Sequence, residues 1–396
     1  MSQVAGENAC MKFLSAATGS EWATCVAPEG SDDIARAQAQ NHRQKLDQLL
    51  TEVLLSENLV VLAGLGTTLC LNKIGVPRIA PGMSDLWAAA AQKAGPRFEE
   101  LKAKVSYSTS SNGENIEALL SQCQLSQALR PAPDVAQFIA DSEALIVEKC
   151  RFVNDTTDLT VHESFLRKVA RRSTRQPRTK LFTTNYDLCF ETAASHTRFI
   201  VVDGFSHTQP QEFDGSYFAY DVVRREQDRE TSDYIPNVFH LYKIHGSMDW
   251  ELRVSQIIKT PLPAKPLIIY PRHSKFEASY DQPFIEMMSR FQVAVRQPNT
   301  GLLVVGFGFN DPHIWQPIMS AVRSNVSLKA MIVDPALASS PKDPVKQIES
   351  LIKAGDSRLV LLATGFEDLV QILPDLVAAT EDERHRERLR SLGGHK

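Results

Sequence analysis

The stretch 59-LVVLAGLGTT-68 decides how the rest of the chain is read. Its first five residues are apolar without interruption, the pattern of a strand covered on both faces rather than of an alternating surface strand. Gly64 and Gly66 then stop the run, and Thr67 and Thr68 offer hydroxyls. Such a turn lets a backbone approach a phosphate at the start of a helix. The full GxGxxG spacing is absent, so a plain tight strand-to-helix turn accounts for these residues equally well. Outward from it, strand-like segments recur at residues 180–184, 199–202, 239–244, 267–270, 302–306, 330–333 and 359–362. Several, 302-LLVV-305 and 359-LVLL-362 above all, are again unbroken apolar runs. Helical patterns at 85–104, 282–296 and 366–379 lie between or after them, and three more, at 114–129, 134–150 and 161–172, precede the strand at 180–184. The predicted class is α/β: a Rossmann-like doubly wound parallel sheet with a helical insertion over about residues 105–172.

The 396 residues suffice for one large domain, and 43 Lys and Arg against 47 Asp and Glu exclude a globally basic nucleic-acid binder. No apolar run approaches the ~18 residues of a membrane span, and the faint leader-like start at residues 11–14 breaks at once into Ser, Thr and Gly. A cytoplasmic protein is expected. Cys10, Cys25, Cys70, Cys123, Cys150 and Cys189 are scattered with no CxxC pair, which points to small buried hydrophobes rather than to zinc or disulfides. Residues 1–31 lack a sustained period and read as an N-terminal arm; 32–380 form the domain. Residues 381–396, four acidic against five basic, form a charged tail, and 106–112 a loop. Residues 167–180 carry seven Lys and Arg and no acid, the solvated side of a helix or a contact face for DNA or an acidic partner.

The remaining strand ends repeat one theme. The segment 182-FTTNYD-187 places Thr184, Asn185 and Asp187 at the carboxyl edge of the sheet, where open α/β folds bind ligands; Asn185 or Asp187 can equally cap the next helix. His245-Gly246-Ser247 ends the strand at 239–244, as ligand site or as turn. Then 306-GFGFND-311 repeats strand, glycines and small polar groups, and Asp334 puts an acid at one more strand end, suited to a ribose hydroxyl or a cap. Five strand ends of nucleotide-binding type converge on one rim.

The succession GLGTT, TTNYD, HGS, GFGFND, IVD resembles the sirtuin (silent information regulator) superfamily, whose core binds NAD. It is nearer to the sirtuin-like domains of prokaryotic antiphage defence than to protein deacylases. TTNYD stands in place of the deacylase TQNxD pattern, 81-PGMSDLW-87 in place of the phenylalanine-arginine motif, and the four-cysteine zinc module is missing. The resemblance implies an NAD hydrolase, releasing nicotinamide and ADP-ribose, with Asn185 and His245 as the catalytic pair and Asp187 orienting them. It assigns Gly64, Gly66 and Thr67 to the pyrophosphate, Gly306 and Gly308 to the adenosine side and Asp334 to its ribose, with Thr184 and Asp311 beside them. No metal is expected. It further implies an antiviral effector that depletes NAD and is gated by self-assembly with a partner, a HerA-like hexameric ATPase or a short prokaryotic Argonaute, nucleic acid being met only through that partner. A non-catalytic nucleotide-binding scaffold and a deacylase are the rival readings.

Overall fold

Unbroken apolar runs fold here as predicted, into the middle of a large sheet. The computed structural model describes residues 11–19, 21–27, 30–225, 232–270 and 281–376. In chain order the strands are β1 Lys12–Ser15, β2 Ala23–Thr24, β3 Asn58–Ala63, β4 Lys180–Thr183, β5 Ile200–Val202, β6 Gln211–Glu212, β7 Val223–Arg225, β8 Ser232–Tyr234, β9 Val238–Lys243, β10 Gly246–Arg253, β11 Gln256–Lys259, β12 Pro266–Ile268, β13 Thr300–Val305, β14 Lys329–Val333 and β15 Leu359–Ala363. Nine of them form one sheet in the order β2-β1-β15-β14-β13-β3-β4-β9-β5. From β15 to β5 every neighbouring pair is parallel. The chain builds outward from β3 through β4 to β5 and β9, then returns to β13 on the other side of β3. That reversal opens a crevice beyond the carboxyl ends of β3 and β13, the place where doubly wound sheets bind ligands.

Register aligns the rim. Ala63 pairs with both Val305 and Thr183, Thr183 with Lys243, and Val305 with Val333. The residues that follow these, Gly64, Gly306, Thr184, Ile244 and Asp334, therefore leave the sheet along one line.

The apolar runs are explained by helices on both faces. Val61, Ala63, Leu303, Val305, Met331 and Leu362 pack with Leu46 and Leu50 of the helix Asp33–Leu54 and with Phe165, Phe190 and Phe366. The alternate residues Val60, Leu62, Leu302, Val304, Ile332 and Leu361 pack with Phe291, Ile318 and Ile348 from the helices Phe284–Arg296, Pro312–Ser324 and Asp343–Lys353. Neither side of these strands meets water, so neither needs a polar alternation.

The structure differs from the sequence expectations at several points. Lys12–Ser15, within the stretch read as an arm, pairs antiparallel with β15, and Phe13 and Leu14 are fully buried on opposite faces of the sheet. The 85–104 pattern is two helices, Met83–Ala94 and Arg97–Lys104, because Gly95 turns the chain with a left-handed φ ahead of Pro96. The strand expected at 267–270 overlaps β12, Pro266–Ile268, which belongs to a separate antiparallel sheet, β12-β10-β11-β6, instead of the core sheet. Within 106–112 the chain makes one helical turn, Thr109–Asn112. The last described helix is Phe366–Ile372, and residues 377–379 of the predicted helix and the tail at 381–396 lie outside the described residues.

Of the insertion, Phe165, Leu166 and Val169 of the helix Thr160–Ala170 pack in the main core. Its helices Ile116–Leu129 and Pro133–Cys150 share a separate core with the two helices that precede it: Ile116, Leu119, Phe138 and Ile146 pack with Trp87 and Phe98 and reach Met248 of β10 and Ile268 of β12. This layer stands over the rim. No described helix is long and apolar enough to cross a membrane.

Candidate active site

A cavity of about 580 Å³ lies between the rim and the insertion, inside the ~300–1,000 Å³ range of small-molecule and cofactor sites. Leu65 and Thr68 after β3, Thr184 to Asp187 after β4, His245 after β9 and Phe307, Gly308, Asn310 and Asp311 after β13 form its floor. Met83, Leu86, Glu117, Ala118, Cys150 and Phe152 form the roof, and Lys342, at the start of the helix Asp343–Lys353, completes the wall.

Asn185 is held by three acceptors. Its Nδ2 donates to Gly64 O at 3.0 Å, Thr68 Oγ1 at 2.8 Å and Thr67 Oγ1 at 3.2 Å. The amide hydrogens are thus spent on protein, and the carboxamide oxygen is the part left to meet a ligand. Asp187 ties the first turn of the next helix to the turn after β3. Its Oδ1 accepts from Cys189 N at 3.1 Å, capping the helix Cys189–Thr197, and its Oδ2 accepts from Thr68 Oγ1 at 2.8 Å. Asp187, Thr68 and Asn185 consequently form one buried relay, each member fixing the orientation of the next.

Beneath the relay, Lys243 donates to Asp187 O and pairs with Glu191 at 3.0 Å. Burial pushes the Glu191 carboxyl above its ordinary range against the pull of Lys243. Tyr186 donates to Ile269 O, and burial holds its phenol well above the usual tyrosine value. Burial likewise raises the Cys150 thiol to about 12, so the cavity presents no thiolate there.

His245 is 3% exposed, and its Nε2 lies 3.0 Å from Nε2 of His313 in the helix Pro312–Ser324. Sequence reasoning passed over His313. The available signal was its place in 311-DPH-313, directly after the GFGFND segment and in the first turn of a helix opened by Pro312.

Other sequence candidates have structural duties instead. A Cβ on Gly64 would lie 2.5 Å from Gly306 O, one on Gly66 2.5 Å from Gly306 Cα, and one on Gly306 2.6 Å from Gly66 Cα, with Gly306 also at φ +60°. These three glycines let the turns after β3 and β13 cross, and that need accounts for them without a phosphate. Thr67 is fully buried and donates to Gly64 O at 2.8 Å. None of the four lines the cavity. Asp334 is also absent from its walls; its carboxylate caps its own turn by accepting from Ala336 N at 2.9 Å, and burial raises its pKa. The structure therefore gathers Thr184, Asn185, Asp187, His245, Gly308 and Asp311 at the cavity and leaves Gly64, Gly66, Thr67, Gly306 and Asp334 behind or beside it. Among the described residues no group of three or more His, Cys, Asp or Glu is placed to hold a metal.

Comparison with protein families matches residues 179–355 to the model of the SIR2-like domain. A solved structure described as a mutant Sir2 homologue in complex with ADP ribose is 13% identical, with a TM-score of 0.36 over 78% of this chain and 95% of its own. Comparison with curated proteins finds no match.

Proposed function

We propose that the chain hydrolyses the nicotinamide–ribose bond of NAD. The observation that carries this reading is Asn185, locked by three hydrogen bonds at a cavity that His245 also lines, within a stretch matching a SIR2-like domain. The leaving nicotinamide takes the electron pair of the broken carbon–nitrogen bond and departs neutral, so no strong acid is needed. The oxygen of water bonds to the ribose carbon as ADP-ribose forms, and its proton passes to a base. His245 supplies that base, and the Asn185 carbonyl aligns water or sugar hydroxyls. Lys342 is the cation the pyrophosphate would meet, with Gly308, Asn310 and Asp311 on the same wall.

The test is incubation of the purified chain, together with the product of the neighbouring gene, with NAD. Equimolar nicotinamide and ADP-ribose are expected from wild type and neither from His245→Gln. Tight binding of ADP-ribose without turnover would instead make the chain a nucleotide-binding scaffold. The wider role follows from the motif resemblance rather than from geometry: an antiviral effector that drains NAD, silent until assembly with a partner, of which a HerA-like ATPase is the first to examine.

A further inference from the structure

His245 and His313 come from separate elements, the end of β9 and the first turn of the helix Pro312–Ser324, and their Nε2 atoms stand 3.0 Å apart. Two imidazole nitrogens at that distance share one hydrogen, so one ring donates and the other accepts. The direction has a chemical consequence. If the neutral His245 ring accepts at Nε2, its only hydrogen is on Nδ1 and no lone pair remains to take a proton. If it donates from Nε2, the lone pair is on Nδ1.

We propose that His313 is the positioning residue that sets this direction. Its Nε2 accepts the hydrogen bond from Nε2–H of His245, holding His245 in the tautomer that can act as a base at Nδ1. The assignment rests on the reading of His245 as the base in NAD hydrolysis. As the water or a ribose hydroxyl gives up its proton, that proton moves to Nδ1, Nε2–H stays in place, and the new positive charge is shared with the His313 lone pair, as the third member of a catalytic triad does for its histidine. His313 is not among the residues lining the cavity, so it acts through His245 rather than on the nucleotide.

The test combines kinetics with ring ¹⁵N spectra of histidine-labelled protein at about pH 8.5, above the ordinary histidine range near ~6.5. His245 is assigned by its absence in His245→Gln. Wild-type His245 is expected to carry its hydrogen on Nε2. His313→Leu, which removes the acceptor, should mix the tautomers and lower kcat for nicotinamide release by roughly 10- to 100-fold, a part of what general-base catalysis contributes. KM for NAD should stay within about threefold, since no ground-state contact is lost. His313→Gln, whose amide oxygen reaches the same place, should restore most of the turnover and the Nε2–H tautomer. Hydrogen on Nδ1 in the wild type, or an unchanged tautomer or kcat in His313→Leu, would overturn the proposal. Failure of the wild type to cleave NAD even with the product of the neighbouring gene present would sink the hydrolase reading instead, while the nitrogen spectra still decide the direction of the bond.

Discussion

At the scale of single residues, the relay makes the strongest demands. Asn185→Ala removes the carboxamide and takes its donor from two threonine hydroxyls, while Gly64 O keeps Thr67 N and Thr67 Oγ1. NAD turnover should fall by about 100-fold or more, the scale of losing one preorganised transition-state group. Full turnover in a folded variant would remove Asn185 from the mechanism. Thr68→Val keeps the shape but strips the hydroxyl joining Asn185 to Asp187, stranding a buried carboxylate oxygen at about 1–3 kcal/mol. Denaturant midpoints and kcat measured together should show both losses, and a loss of stability with unaltered kcat would show the relay to be structural only. His162 sets an acid limit. It is fully buried between Phe190 and Phe366, and burial pushes its pKa down to about 4. The unfolded chain, with an ordinary value near ~6.5, then binds this proton first, so its share of stability is full above about pH 6.5 and is lost as pH falls to about 4. His240, lowered to about 4 by burial and then by Lys180, adds a loss of the same sign. Melting temperatures between about pH 7 and pH 4.5 should drop less steeply for His162→Phe than for wild type; parallel curves would refute the assignment.

At the scale of elements, two turns cross at the sheet's reversal point. Gly306→Ala must place a Cβ 2.6 Å from Gly66 Cα at a left-handed φ, so it should unfold the chain or cost several kcal/mol. A soluble variant with an unchanged urea midpoint would show that the turns can separate. These glycines were visible in sequence, but their partner was not, because the clash is between segments far apart in the chain. The same limit explains β1. Phe13 and Leu14 sit in a four-residue strand paired with β15 at the other end of the described chain, too short for a periodic signal. Phe13→Ala should therefore cost about 3–5 kcal/mol, as for a core aromatic, rather than the near-zero cost of an arm residue. What sequence did reveal is equally physical. Strands β3, β13 and β15 are covered on both faces and so are apolar over 59–63, 302–305 and 359–363, and Asn185, Asp187, His245 and Asp311 follow strands whose carboxyl ends must share one edge. His313 was missed for a related reason: its place in 311-DPH-313 marks it, but its meaning lies in a contact 68 residues away.

At the scale of the whole molecule, the proposed gating would act through what surrounds the cavity. The basic stretch 167–180 is a poor candidate for a partner face, because its charges are already committed within the chain. Lys168 donates to Val370 O and Leu373 O, Arg172 to Glu57 O, Arg178 pairs with Asp221, and Lys180 donates to Gln297. Arg171 is buried, Arg167 sits 3.9 Å from Glu163, and Arg175 is left exposed. The insertion is the better candidate. Its helices roof the cavity, and its separately packed core meets the body of the protein through Met248 and Ile268, so an assembly that grips it can alter access to Asn185 and His245 without touching them. Turning a mostly idle population into a mostly competent one requires the partner to prefer the competent form by about 10⁴-fold. Sedimentation and NAD turnover of the chain alone, and with the product of the neighbouring gene, are expected to show a larger species and a faster rate together. Arg175→Glu should leave both unchanged. A monomer that hydrolyses NAD at full rate without any partner would end the gating proposal and leave Asn185 and His245 where they stand.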